Sequence, residues 1–241
     1  MGPTRLASSY SIQLMNEIPD RLARVRERID AAARASGRAA DSISLLAVSK
    51  TKPAPDVLAA YNAGQRAFGE NYLQDALPKV QALAELNIEW HFIGRLQSNK
   101  TAAISRHFAW VHSLDRIKHA ERLSAQRPED VAPLQVCLQV NLSAEASKGG
   151  VEPEDLPGIA LAVARLPRLR LRGLMTMPDP HTDPAIQRAI YARLRGLLHA
   201  LRARGLDLDT LSMGMSADME AAIAEGSTMV RIGTDIFGAR A

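Results

Sequence analysis

Residues 43–50, "ISLLAVSK", are an apolar run closed by a lysine. Ile, Leu and Val at this density in so short a stretch fit a strand covered on both faces, as in a parallel sheet, where alternation gives way to continuous hydrophobicity. Further runs of the same kind follow at "RAFGE" (66–70), "EWHFIG" (89–94), "WVHSL" (110–114), "LQVCLQVNL" (134–142), "RLRGLMTM" (170–177), "TLSMGMS" (210–216) and "MVRIGTDIFG" (229–238), which makes eight in all.

Segments with helical apolar spacing lie between them, among them "APDVLAAYNAG", "QDALPKVQALAEL", "DRIKHAERLSAQ" and "EDLPGIALAVARL". Strict alternation of strand and helix demands parallel strands joined by right-handed crossovers. Eight such strands in 241 residues predict an α/β fold, a single closed (β/α)8 TIM barrel, with a doubly wound open sheet as the runner-up. No linker rich in Pro, Gly or Ser divides the chain, so residues 1–241 are expected to form one domain. An extra N-terminal helix is predicted from about Ser9 to Ser36, stopped by Gly37. No helix follows the eighth strand, and this opening helix is expected to fill that gap in the ring.

Composition narrows the function. One cysteine, Cys137, excludes an internal disulfide framework and a multi-cysteine metal site, and it suits a reducing cytoplasm. The N-terminal residues lack the apolar core of a secretory signal, and no apolar stretch approaches the roughly 20 residues that span a bilayer. A cytoplasmic protein with no membrane partner is expected. The net charge is +4, with arginines strung along "QRAIYARLRGLLHALRARG". There Ile190, Leu194, Leu197, Leu198 and Leu201 fall at helical spacing, which leaves the arginines on a solvated face. A nucleic-acid surface would want base-stacking aromatics among them, and Tyr191 is alone. No nucleic-acid partner is therefore expected.

Sites on this fold lie at the C-terminal ends of the strands. Those ends carry Lys50, the "GEN" of Gly69 to Asn71, Ser113, the "MTMP" of Met175 to Pro178, the "GMS" of Gly214 to Ser216, and Arg231, Gly233 and Thr234. Leu46, Val48 and Lys50 share one strand face. If that face lines the barrel, partial burial lowers the pKa of Lys50 and leaves neutral amine able to attack a carbonyl; otherwise the lysine snorkels to water. Lys52, two residues on, is expected in solvent. Ser216 precedes an apolar-periodic helix, as a phosphate ligand or as a plain helix cap. Gly233 lets backbone approach closely and Thr234 adds a hydroxyl. Arg231, a permanent charge between Val230 and Ile232, needs either a ligand atom or an internal carboxylate such as Glu70 or Asp235.

Together, "AVSKTKP", "FGENYLQ", "WHFIGRLQSNK", "GLMTMP" and "LSMGMSADMEAAIAEGSTMVRIGTDIFG" closely resemble the pyridoxal phosphate homeostasis proteins, the YggS/PROSC family, in order and from roughly Ile43 to Gly238. The resemblance implies an alanine racemase-like barrel, fold type III among pyridoxal 5′-phosphate (PLP) proteins, that binds and handles the cofactor. It implies that Lys50 forms the internal aldimine, that Ser216 and the backbone N–H groups of Gly233 and Thr234 hold the phosphate, and that Arg231 faces the pyridine nitrogen. Asn71 would sit beside the ring with Met175 nearby, and Lys148 of "ASKGG" matches a family lysine near the pocket mouth. An arginine facing the ring nitrogen disfavours its protonation and so weakens the ring as an electron sink. A racemase also needs a second acid/base, which in alanine racemases is a tyrosine from a partner's C-terminal β domain, and this chain ends just after the barrel. The implied function is PLP homeostasis without robust catalysis, by a monomer that passes the cofactor to apo-enzymes; the alternative is a weak PLP-dependent amino-acid racemase.

Overall fold

The computed structural model describes residues 4–142, 149–178 and 183–239, with side chains from Glu17 onward. Helix α1 (Thr4–Ala35) and a 3-10 turn at Ala40–Ser42 precede β1 (Ser44–Val48). Then α2 (Ala54–Asn62), β2 (Ala67–Glu70), α3 (Leu73–Ala82), β3 (Glu89–Phe92), α4 (Thr101–His107), β4 (Trp110–Leu114), α5 (Ile117–Gln126) and β5 (Leu134–Gln139) alternate. The chain continues through α6 (Leu156–Ala164), β6 (Leu169–Met175), α7 (Pro184–Arg202), β7 (Thr210–Ser212), α8 (Met219–Ala224), β8 (Met229–Ile232) and α9 (Thr234–Phe237).

Each strand pairs in parallel with the next, and β8 returns to β1 with Leu46 opposite Arg231, so the sheet closes as a barrel in chain order. The closed barrel predicted from the alternation is the one formed, and the open sheet is not. The expected N-terminal helix is present, beginning earlier, at Thr4. Its Ile18, Leu22, Val25 and Ile29 recur on one face and are buried. That face packs on α2, α8 and α9, so α1 occupies the ring position that the four-residue α9 is too short to fill.

Several strands stop earlier than their composition suggests, β1 and β8 among them. The first ends at Val48: Ser49 still donates to the carbonyl of Gly69, but Lys52 N–H then turns back to Ser49, with Thr51 in the left-handed region at φ 64°. Lys50 therefore sits in a turn. The eighth ends at Ile232, because the N–H groups of Ile236 and Phe237 return to the carbonyl of Gly233 and wind the expected strand tail into α9. Ile236 and Phe237 are fully buried, so apolar residues that suit a strand serve a helix instead.

The register carries Leu46, Gly69, His91, Trp110, Cys137, Met175, Ser212 and Arg231 to the same side of the sheet, the barrel interior. The main apolar core lies on the other side, between strands and helices, and includes Phe68, Phe92, Phe108, Leu123, Tyr191 and Ile223. Among the described residues Trp110, Cys137 and Met175 form a small apolar cluster inside the barrel.

Candidate functional site

At the C-terminal ends of β1, β2, β6, β7 and β8 the loops surround a cavity of about 270 Å³. Lys50, Asn71, Met175, Ser216, Arg231, Gly233 and Thr234 all line it. Seven strand-end candidates are thus brought to one place, whereas Ser113, which donates to the carbonyl of Gly94, is not among its lining residues. Lys52 also lines it and donates from Nζ to the carbonyl of Ala239 at 3.0 Å in an exposed hydrogen bond. Lys148 lies outside the described residues.

Arg231 is buried, and its side chain is held by donations from Nη1 to the carbonyl (2.6 Å) and Oγ (2.8 Å) of Ser212 and from Nη2 to the carbonyl of Thr176 (2.8 Å). The carboxylates proposed as its internal partners are engaged elsewhere. Glu70 accepts from Lys79 Nζ and Ser49 Oγ, each at 2.5 Å, and Asp235 accepts from Arg28 at 2.6 Å. Burial lowers the Arg231 pKa, offset by Tyr191 and Asp218 at longer range. What remains is a permanent cation, held by neutral oxygens and facing a cavity.

Ser216 is not the cap of α8. The cap position is Asp218, whose carboxylate accepts from Met215 N–H at 2.6 Å and from the Tyr191 hydroxyl at 2.7 Å, tying the turn that carries Ser216. Gly214, at φ 95°, begins this turn; a Cβ there would come within 2.6 Å of Ala222. Across the cavity α9 starts at Thr234, and the N–H groups of a helix's first turn have no acceptor within the helix. Arg28 of α1 braces both loops, reaching the carbonyl of Ser216 at 3.2 Å, Glu220 at 2.8 Å and Asp235 at 2.6 Å.

Asn71 is set by backbone packing. Its carbonyl lies so close to Gly94 that a Cβ there would stand 1.8 Å from it. Its side-chain Oδ1 is buried and has no hydrogen-bond partner within the protein. An orphaned acceptor beside a cavity marks a place for a ligand donor or an ordered water. Among the described residues, the ionisable side chains that line the cavity are Lys50, Lys52 and Arg231, all cationic in their ordinary state. That set fits a small ligand carrying a phosphate and a carbonyl carbon.

One constellation escaped the sequence reading. His91 and His112 stand inside the barrel, fully buried, in a hydrogen-bonded series with Ser212 that leads to Arg231. The signal was available: both imidazoles interrupt apolar strands, as Arg231 does.

Fold and cavity together define a barrel of the alanine racemase N-terminal type, and residues 21–241 match the family model described as "Alanine racemase, N-terminal domain". An alanine racemase from Corynebacterium glutamicum shares the fold at a TM-score of 0.70 and 18% identity, covering 94% of this chain and 62% of that one. The chain belongs to the family of pyridoxal phosphate homeostasis proteins. It is 60% identical over 226 residues to the protein of that name from Pseudomonas aeruginosa, covering 94% of this chain and 97% of that one. It is 52% identical over 229 residues to that from Escherichia coli, covering 94% and 98%. PipY of Synechococcus elongatus, whose structure was solved with PLP bound, superposes at a TM-score of 0.80 with 39% identity over 92% of this chain and all of that one.

Proposed function

We propose that this chain binds PLP in the cavity at the barrel mouth and takes part in PLP homeostasis, holding the cofactor through Lys50 without robust catalysis. The observation that carries the reading is convergence. Lys50, Ser216 and the Arg231–Thr234 segment, brought from distant parts of the sequence, line one cavity in a chain whose relatives bear this function in their name.

When bound, the cofactor supplies an aldehyde that condenses with an amine and a ring that can withdraw electrons. The Lys50 amine is the nucleophile for that aldehyde. The Ser216 hydroxyl and the N–H groups of Gly233 and Thr234 donate to the phosphate, and Arg28 keeps the two loops that carry them together. Arg231 would face the ring nitrogen, where a fixed cation would disfavour a proton on that atom. Asn71 Oδ1, unpaired within the protein, is an acceptor beside the ring, and Met175 forms an apolar floor. All 241 residues act as one domain in this reading.

Carrying is favoured over turnover by the lining. A racemase needs an acid/base opposite the lysine, whereas the described ionisable groups around this cavity are Lys50, Lys52 and Arg231. Transfer to apo-enzymes, a monomeric state and a cytoplasmic location belong to the same proposal. The location is in keeping with a free thiol at Cys137, and no described helix is long and apolar enough to cross a membrane.

The test is optical and chemical. Protein incubated with PLP and dialysed should be yellow, and borohydride should fix the cofactor's mass on the Lys50 peptide. Lys50→Ala should be colourless and unlabelled. Wild-type colour retained in Lys50→Ala, or label on another peptide, would remove Lys50 from the role.

A further inference from the structure

A chain of polar side chains crosses the barrel interior below Arg231, and the binding reading makes no use of it. Arg231 Nη1 donates to Ser212 Oγ at 2.8 Å, and Ser212 Oγ lies 2.8 Å from His112 Nδ1. His112 Nε2 lies 2.9 Å from His91 Nδ1, and His91 Nε2 lies 2.8 Å from Glu89 Oε1. The first four residues are buried, but the Glu89 side chain is 51% exposed at the start of β3, the end of the barrel away from the cavity.

Valence gives this chain a direction. A guanidinium only donates and a carboxylate only accepts. Glu89 accepts a hydrogen bond from His91 Nε2–H, which in a neutral ring leaves Nδ1 as an acceptor. His112 must then carry its proton on Nε2, and its Nδ1 accepts from the Ser212 hydroxyl, whose oxygen accepts from Arg231. This arrangement has both imidazoles neutral with the proton on Nε2. Burial agrees, since it lowers both histidine pKa values; the neighbouring His91 and then Arg231 lower that of His112 further, and Glu89 only partly opposes the effect at His91. Trp110 stacks on His91 at 5.4 Å, and Arg172, which lies over Trp110, adds positive charge near Glu89.

We propose that Ser212, His112, His91 and Glu89 are positioning residues for Arg231. The chain fixes the guanidinium against the cavity with a single hydrogen-bond polarity, and Glu89 provides at its far end the negative charge that Arg231 lacks in direct contact. Its bearing on the cofactor rests on the reading of the cavity as a PLP site. Arg231 is anchored to two backbone carbonyls as well, so the side-chain relay adjusts a cation already in place.

The experiment has two arms. In the first, nitrogen NMR of histidine-labelled protein without added cofactor should report His91 and His112 as neutral Nε2–H tautomers that do not titrate near neutral pH. A protonated ring, or an Nδ1–H tautomer at either position, would overturn the chain. In the second, Ser212→Ala should bind PLP about tenfold more weakly with a displaced absorption band, the scale of one hydrogen bond to a charged group. Ser212→Thr, which restores the hydroxyl, should recover both. Unchanged affinity and band in Ser212→Ala would sink the positioning role. Should Ser212→Ala fail to fold, Glu89→Ala, cut back at an exposed site, should disorder the His91 tautomer and weaken binding; a wild-type pattern in both would overturn the proposal. If wild-type protein takes up no PLP, the binding reading fails by that result, and the tautomer arm alone decides the relay.

Discussion

The two sides of the sheet follow different rules. Between strands and helices the side chains are apolar and packed in a continuous shell, with Phe68 tilted on Trp90 at 5.9 Å and Phe92 edge-on to Phe108 at 5.4 Å. Inside the barrel, apolar side chains such as Leu46, Trp110, Cys137 and Met175 share the space with His91, His112, Ser212 and Arg231, which are matched by hydrogen bonds. Burial of apolar area is non-directional and tolerates small displacements, whereas a buried polar group is stable only when its partner is in place. The outer shell therefore sets how stable the barrel is, and the interior sets where one cation stands.

The sharpest way to break that division is from outside. Phe68→Ala empties a fully buried site in the shell and should cost about 4 kcal/mol of unfolding free energy in urea titrations, while protein that stays folded takes up PLP with wild-type affinity. Loss of binding in the folded fraction would show that the two regions are not independent. Gly94→Ala forces a methyl onto the Asn71 carbonyl and should cost about 2 kcal/mol while also weakening PLP uptake, because the strain falls at the cavity wall.

The interior should announce itself through pH. In the folded protein the His91 and His112 pKa values lie below the ordinary one, so each imidazole contributes stability in full above the unfolded value, near about 6.5. That contribution is lost as pH falls from there through the folded values. Urea midpoints should decline over this window, and His112→Asn, which cannot take a proton, should flatten the slope. An equal slope in both proteins would mean that other groups govern the loss. The smallest stability change is expected for Arg28→Ala, less than about 1 kcal/mol, since its ion pairs are partly exposed. Its effect should appear instead as faster PLP release, because Arg28 joins the two loops assigned to the phosphate.

Much of this was legible in the chain. Eight strands could be counted because parallel strands covered on both faces are continuously apolar, and the role of α1 followed from the ring position left after the eighth strand. Lys50, Ser216, Arg231 and Thr234 stood out as polar or charged residues at strand ends. Elsewhere local pattern was overridden. The apolar tail after Gly233 reads equally well as strand or helix until its neighbours are known, and α1 decides for helix. Lys52 finds an exposed acceptor at the backbone of Ala239, a contact remote in sequence and so invisible to local pattern. The relay went unseen for the same kind of reason, as each of its hydrogen bonds from Arg231 to His91 joins residues on different strands.

Cys137 gives the polar interior a practical use. Its thiol is fully buried inside the barrel, and burial pushes its pKa up to about 12. A thiol reagent needs both access and thiolate, and the closed barrel denies both. With no other cysteine in the sequence, the rate at which a reagent modifies this one counts barrel openings, and slowing of that rate on addition of PLP would report occupancy of the mouth without any optical signal from the cofactor.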